Sequence, residues 1–509
     1  MRDYLYLGLI ATITSLALAV GAVSAAAQSD PPANNAAALP DTPAGRLDRA
    51  LLEAIDSGDR AAMLRFVTTS TTEEGLLRYP AEDQVTFMTR IYEQSGGLEV
   101  MQVLPERMRG ELRMNVRSKR GDHWAQLYLR VNAAHPEKLD GFGLLPRRDP
   151  EAEKADAWSE GRLSEAGIVR EIRKHVEKAV AEDRFSGVAL VAKGEKILFN
   201  RAYGFQEKGN RIPNRLDTKF NLGSMNKMFT SVAIAQLVQA GKLSYQDTLA
   251  NVLPEYPNKE TAAKITLHHL LTHTAGLGDI FVPEFFQNRE RYRKPADYFP
   301  LFAHQPLLFA PGTGWSYSNA GFVVLGAVIE KVSGQDYFDY IREHVYTPAG
   351  MHDTDSYEMN QVVPNLAVGY MRYDDEDPFG IEPRRSNWMF LPWKGNPAGG
   401  GYSTAPDLLK FAQALRGHKL LNAALTETIT SGKVDTPFGP DRRYGYGFGE
   451  SLFNGRSVRG HNGGGPNSGI NSDLEMFWDG SYTVIVMGNY DAPAAQDLAT
   501  KICTFLSRQ

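Results

Sequence analysis

Hydrophobic positions change period several times along the chain. From Ala44 to about Pro150, helical spacing comes first: Leu47, Leu51 and Ile55 lie on one stripe, and Gly58 can end that helix. A second helical stretch carries Phe87 and Ile91. The period then becomes two. Leu112, Met114 and Val116 alternate with Arg113, Asn115 and Arg117; Arg120-Gly121-Asp122 can turn the chain, and Leu127, Leu129 and Val131 alternate on the return. Helices followed by an antiparallel hairpin predict a small α+β domain with helices on one face of a sheet. It carries no catalytic constellation, and binding a partner, dimerising or covering a site are all open to it.

Arg147 to about Ser164 is charged and poor in apolar residues, and reads as a linker. Ile168, Ile172, Val176 and Val180 then form the stripe of an amphipathic helix. Val188–Ala192 and Ile197–Phe199 flank Lys193-Gly194-Glu195 as a hairpin, and a strongly helical run follows Gly223 and can end at Gly241. The middle of the chain is helical and rich in loops and aromatic residues. Late on, Asn454-Gly455 marks a turn, Thr483–Met487 reads as a buried strand, and Leu498, Ile502 and Phe505 belong to a closing helix. Early strands, a helical middle and late strands predict one sheet built from both ends of residues 165–509.

The N-terminus has its own pattern. Arg2 precedes an apolar run from Leu5 to Val20, and Val23-Ser24-Ala25-Ala26-Ala27 supplies small residues before polar Gln28-Ser29-Asp30. This is the layout of a secretory signal peptide over residues 1–27, with an uncleaved anchor as the alternative. Residues 28–43, rich in Pro, Ala and Asn, read as a linker. The expectation is an exported protein, periplasmic or secreted, without a membrane span after cleavage. At 509 residues the chain can hold two or more well-buried cores. A net charge of −5 gives no basic footprint for nucleic acid, and the single Cys503 excludes an internal disulfide. Composition leaves the oligomeric state open.

Chemistry concentrates at Gly223-Ser224-Met225-Asn226-Lys227. A three-residue spacing puts Ser224 and Lys227 on one helix face. A hydroxyl becomes a nucleophile when a base takes its proton, and a lysine serves as base when desolvation and neighbouring cations lower its pKa. Ser-x-x-Lys alone is weak, since about one or two copies arise by chance in such a chain. Two further signals follow in order: Tyr317-x-Asn319 and His461-x-Gly463 before Gly464-Gly465. His268, His269 and His273 look like a metal cluster, but adjacent positions point different ways on a helix and no carboxylate is spaced to join them. A loop-fixing hydrogen bond is the expectation for His273. Metal and cofactor are both expected to be none. Part of the aromatic stretch at 370–393 is a candidate lid.

With Leu270-Leu271-Thr272-His273-Thr274-Ala275-Gly276-Leu277, Tyr317-Ser318-Asn319-Ala320-Gly321 and Gly401-Tyr402-Ser403-Thr404-Ala405, the chain from about Gly167 onward resembles the serine β-lactamase-like superfamily. The likeness points to class C β-lactamases, D-stereospecific peptidases and related esterases. It implies an α+β fold, an antiparallel sheet flanked by helices plus an all-helical lobe, with the active site between them. It also implies roles. Ser224 attacks a carbonyl and forms an acyl-enzyme, Lys227 helps deprotonate it, and Tyr317 shuttles the proton to the leaving group. Asn319 orients the substrate, and the backbone N–H groups of Ser224 and Gly464 hold the oxyanion. Lys227 and Tyr317, both with ordinary pKa values near 10, would share a proton, ammonium favouring phenolate. One departure stands out: His461 occupies the place of the lysine that meets a substrate carboxylate in many β-lactamases. Acyl transfer on a short ester or a D-residue peptide is therefore expected ahead of β-lactam hydrolysis. A catalytically silent protein that binds cell-wall peptides is the alternative.

Overall fold

The computed structural model describes residues 39–105, 110–372, 375–465 and 467–509. The leader predicted at 1–27 and most of the 28–43 linker lie outside the described residues. Among the described residues no helix is long and apolar enough to cross a membrane. The chain divides into two compact units. One comprises residues 39–157 together with Arg372–Arg385; the other comprises Trp158–Met371 and Ser386–Gln509.

In the first unit four helices, α1 (Pro43–Asp56), α2 (Arg60–Ser70), α3 (Glu73–Arg78) and α4 (Ala81–Ser95), precede a four-stranded meander. The strands are β1 (Leu98–Leu104), β2 (Glu111–Ser118), β3 (Trp124–Val131) and β4 (Leu139–Arg147), paired in that order. Met114 faces Leu127 and Val116 faces Ala125 across β2 and β3. These side chains join Leu51, Ile55, Phe87 and Ile91 from the helices in one apolar core. The period-two stretch thus buries one face, as its alternation requires. Of the 370–393 stretch, Phe379 enters this same core.

The second unit opens with α5 (Glu165–Ala181), β5 (Gly187–Lys193) and β6 (Lys196–Tyr203). Two further helices matter for the site: α6 (Asn226–Gln239) and α7 (Asn319–Ser333). The late strands are β7 (Val434–Asp435), β8 (Arg442–Tyr444), β9 (Gly449–Phe453), β10 (Arg456–Gly465), β11 (Ile470–Phe477) and β12 (Tyr482–Gly488), followed by α8 (Ala494–Leu506). They form one sheet in the order β7-β8-β9-β10-β11-β12-β5-β6, so the first strands pair with the last. Each of the pairings from β7 to β6 is antiparallel.

Both faces of this sheet are covered. Ala189 and Val191 of β5 pack with Ile172 and Ile502 from α5 and α8, while Val188 and Leu190 pack with the helical lobe. A strand buried on both faces reads as a continuous apolar run, and Val188–Ala192 and Thr483–Met487 do so. Helix α6 is buried nearly all round: Met228, Phe229, Val232, Ile234 and Leu237 all lie in the lobe core. Each such side chain contributes roughly 1.5–3 kcal/mol on burial, and their sum can offset the cost of a polar group carried inside with them.

Candidate active site

Ser224 lies in a 3-10 turn, Gly223–Met225, that leads into α6. Lys227 lies in the first turn of α6 and is fully buried, whereas Ser224 is partly exposed. The Lys227 Nζ is 3.2 Å from Ser224 Oγ. It donates to Asn319 Oδ1 at 2.7 Å and to the Ala398 carbonyl at 2.7 Å. It also lies 4.7 Å from the centre of the Tyr317 ring. Burial lowers the Lys227 pKa from 10.5 to about 7, against the attraction of the Asp279 carboxylate. The expected cationic neighbour is replaced by an anion, so desolvation alone lowers the pKa.

These contacts serve both protonation states of Lys227, and burial raises the share of the neutral one. A neutral amine has two hydrogens and one lone pair. As an ammonium Lys227 donates to all three oxygens, Ser224 Oγ among them; as a neutral amine it keeps its two hydrogens on the two carbonyl acceptors and turns its lone pair to the Ser224 hydroxyl. Burial raises the Tyr317 pKa above its ordinary value, partly offset by a hydrogen bond with Ser224. The expected shared proton therefore sits on Tyr317: burial of both groups favours neutral phenol and neutral amine over phenolate and ammonium.

Tyr317 and Asn319 bracket the N-cap of α7. Ser318 caps that helix by accepting from Gly321 N–H at 3.2 Å, and its hydroxyl donates to the Gly278 carbonyl at 2.7 Å. His273, in the left-handed region at φ 63°, accepts from Ser318 N–H at 3.1 Å, and its carbonyl accepts from Ser316 N–H. This is the loop-fixing role expected of it. His268 instead meets the Tyr446 hydroxyl at 2.9 Å, and His269 accepts from Thr266 N–H in a helix cap. Rings of Tyr317, Tyr444, Phe322 and Trp315 surround His273.

The third motif lies on β10. That strand pairs with β11 as far as Gly465 but with β9 only to Gly460, so residues 461–465 present a free edge. The edge meets the nucleophile turn at backbone distance. A Cβ on Gly463 would lie 1.7 Å from the Leu222 oxygen and 2.9 Å from the Ser224 nitrogen; one on Gly223 would lie 2.4 Å from the Gly464 nitrogen. Glycine at 223 and 463 is therefore required by close approach. The Ser224 and Gly464 nitrogens flank one seam. His461 is buried, its Nε2 2.9 Å from the Tyr444 hydroxyl and its Nδ1 on the Asn462 carbonyl. A carbonyl only accepts, so Nδ1 carries the hydrogen and Nε2 accepts from Tyr444. Burial and the nearby Lys227 lower the His461 pKa to about 3. The ring is neutral and both of its nitrogens are occupied.

Sequence reasoning missed three contributors. Asp279 accepts from Asn319 Nδ2 at 3.1 and 3.0 Å, and Asn319 is therefore engaged by protein at both ends of its amide. Tyr444 partners His461. The Asn396–Gly401 loop supplies the Ala398 carbonyl to Lys227 and a Gly400 N–H to the Gly223 carbonyl. The triplet Gly399-Gly400-Gly401, so like Gly463-Gly464-Gly465, was the available signal for that loop.

The family model described as Beta-lactamase matches residues 172–502. The chain belongs to the β-lactamase family. It is 30% identical over 334 residues to Penicillin-binding protein 4* of Bacillus subtilis (strain 168), covering 62% of this chain and 72% of that protein. It is 31% identical over 293 residues to Esterase EstB of Burkholderia gladioli, covering 50% of this chain and 72% of the esterase. Among solved structures, a penicillin-binding protein from Bacillus halodurans aligns with a TM-score of 0.58 and 34% identity, over 64% of this chain and 98% of that one. The β-lactamase-like, α+β architecture is thus shared with penicillin-binding proteins and esterases.

Proposed function

We propose that this chain is an exported serine hydrolase that cleaves an ester or amide through an acyl-enzyme on Ser224. The observation that carries the reading is the Lys227 amine, buried, with two carbonyl oxygens on its hydrogens and the Ser224 hydroxyl 3.2 Å away. In this reading Lys227 takes the Ser224 proton as Oγ attacks the carbonyl carbon. The oxyanion forms against the N–H groups of Ser224 and Gly464. The Tyr317 phenol then protonates the leaving alkoxide or amine, and Lys227 returns a proton to Tyr317. Water repeats the sequence on the acyl-enzyme.

For substrate we favour a short acyl ester or a D-residue peptide over a β-lactam. Neutral His461, with both nitrogens engaged, offers no cation to a substrate carboxylate at the third motif. A family that includes Esterase EstB supports the ester side of the choice. A panel of nitrophenyl esters, D-aminoacyl anilides and a chromogenic cephalosporin tests it: ester or anilide turnover lost in Ser224→Ala is expected. Turnover that survives Ser224→Ala refutes the nucleophile, and cephalosporin as the best substrate refutes the preference. N-terminal sequencing of the secreted chain tests export, with a start just after Ala27 expected.

A further inference from the structure

We propose that Asp279 is a positioning residue, whose carboxylate fixes the Asn319 amide so that its oxygen, not its nitrogen, faces Lys227. The proposal rests on the acyl-transfer reading above. An asparagine amide is nearly symmetric in shape, so only its partners decide which end faces the base. An ionised carboxylate can only accept. Asp279 Oδ1 and Oδ2 lie 3.1 and 3.0 Å from Asn319 Nδ2, so the amide nitrogen must turn to them and Oδ1 is left at 2.7 Å from Lys227 Nζ. The reversed amide would point N–H groups at Lys227 and compete for the lone pair that Ser224 needs.

Asp279 is itself held. Its Oδ1 accepts from Ile280 N–H at 2.6 Å and from Phe281 N–H at 3.3 Å. Burial raises the Asp279 pKa above its ordinary value, and these bonds, the bond from Asn319 and the nearby Lys227 oppose that rise; every polar group in contact with the two oxygens is a donor, as a carboxylate requires. The result is a polar chain from carboxylate through amide to amine. Ser318, next to Asn319, fastens the same two loops by its bond to the Gly278 carbonyl. The titratable groups interacting around this chain are Asp279, Lys227, Tyr317, His273 and His461. The Asp279 charge favours the ammonium form of Lys227, against the burial that favours the amine.

The test uses Asp279→Asn and Asp279→Glu in the full chain, with Asn319→Ala as a second background. Lys227 is titrated by 13Cε NMR of labelled lysine, its signal identified by loss in Lys227→Met. Removing the anion lowers the Lys227 midpoint in Asp279→Asn, whereas Asp279→Glu keeps it. With an ester substrate, kcat falls about 10- to 100-fold in Asp279→Asn, the scale of a misplaced catalytic group, and KM changes little. In the Asn319→Ala background the same substitution adds less than about a twofold further loss in kcat, because the amide it positions is gone. An unmoved Lys227 midpoint in Asp279→Asn, an equal movement in Asp279→Glu, or full additivity with Asn319→Ala overturns the proposal. The titration needs no substrate. A chain without turnover would refute the acyl-transfer reading and leave the role of Asp279 to be decided by the NMR midpoints.

Discussion

Replacing Lys227 by methionine separates a buried base from an ordinary lysine. Lys227 is fully buried and its pKa falls from 10.5 to about 7. At pH 7 that raises the neutral fraction from about one in three thousand to about one half. For a base whose folded pKa is depressed, the unfolded chain binds more protons between the two values. The stabilising contribution is complete above about pH 10.4, and is lost as pH falls through about 7. One proton over that window gives a slope approaching 1.4 kcal/mol per pH unit. The wild type should therefore gain about 2 kcal/mol on Lys227→Met between pH 7 and pH 9. Urea unfolding of both proteins at each pH measures it, and common contributions cancel in the difference. Below about pH 7, kcat/KM for an ester should climb tenfold per pH unit, and above it should level. A pH-independent stability difference, with an acid limb centred near pH 10, would refute the buried neutral base.

Tyr317→Phe removes the proton donor while keeping the ring, and kcat should fall about 10²–10⁴-fold; a leaving group of low pKa should recover part of it, as a series of phenyl esters would reveal. Gly463→Ala places a methyl 1.7 Å from the Leu222 oxygen, so it should open the seam and cost about 10²–10³ in kcat, with acyl-enzyme formation slowed as much as turnover in stopped-flow measurements. His461, driven to about 3 by burial, should show no titration between pH 5 and 8 in its 15N ring spectrum. Tyr444→Phe deletes its buried partner and should destabilise the fold by about 1–2 kcal/mol in urea unfolding.

The parts of the fold that alternate or repeat cleanly were legible. Leu112, Met114 and Val116 announced β2, and the continuous runs at Val188 and Thr483 announced central strands covered on both faces. That early and late strands share one sheet followed from their order, whereas the pairing of β12 with β5 came from the structure. Helix α2 bunches its apolar residues between Ala61 and Val67 and α3 is only six residues long, so neither shows a clear helical stripe. The site divides in the same way. Ser224, Lys227, Tyr317, Asn319, His461 and the glycines stand in short motifs. Asp279 and Ala398 act from loops, one through a carboxylate behind an amide and the other through a backbone carbonyl any residue could supply. The sequence reading left one proton shared between Lys227 and Tyr317, and the burial that raises the Tyr317 pKa could not be read from it.

The central claim is that Ser224 becomes acylated. Intact-protein mass spectrometry after rapid quenching with a slowly deacylating ester measures this directly. One acyl group per chain, mapped by peptide fragmentation to Ser224 and absent in Ser224→Ala, is the predicted result. Ester turnover that proceeds without an adduct and survives Ser224→Ala, or an adduct on another residue, would contradict it.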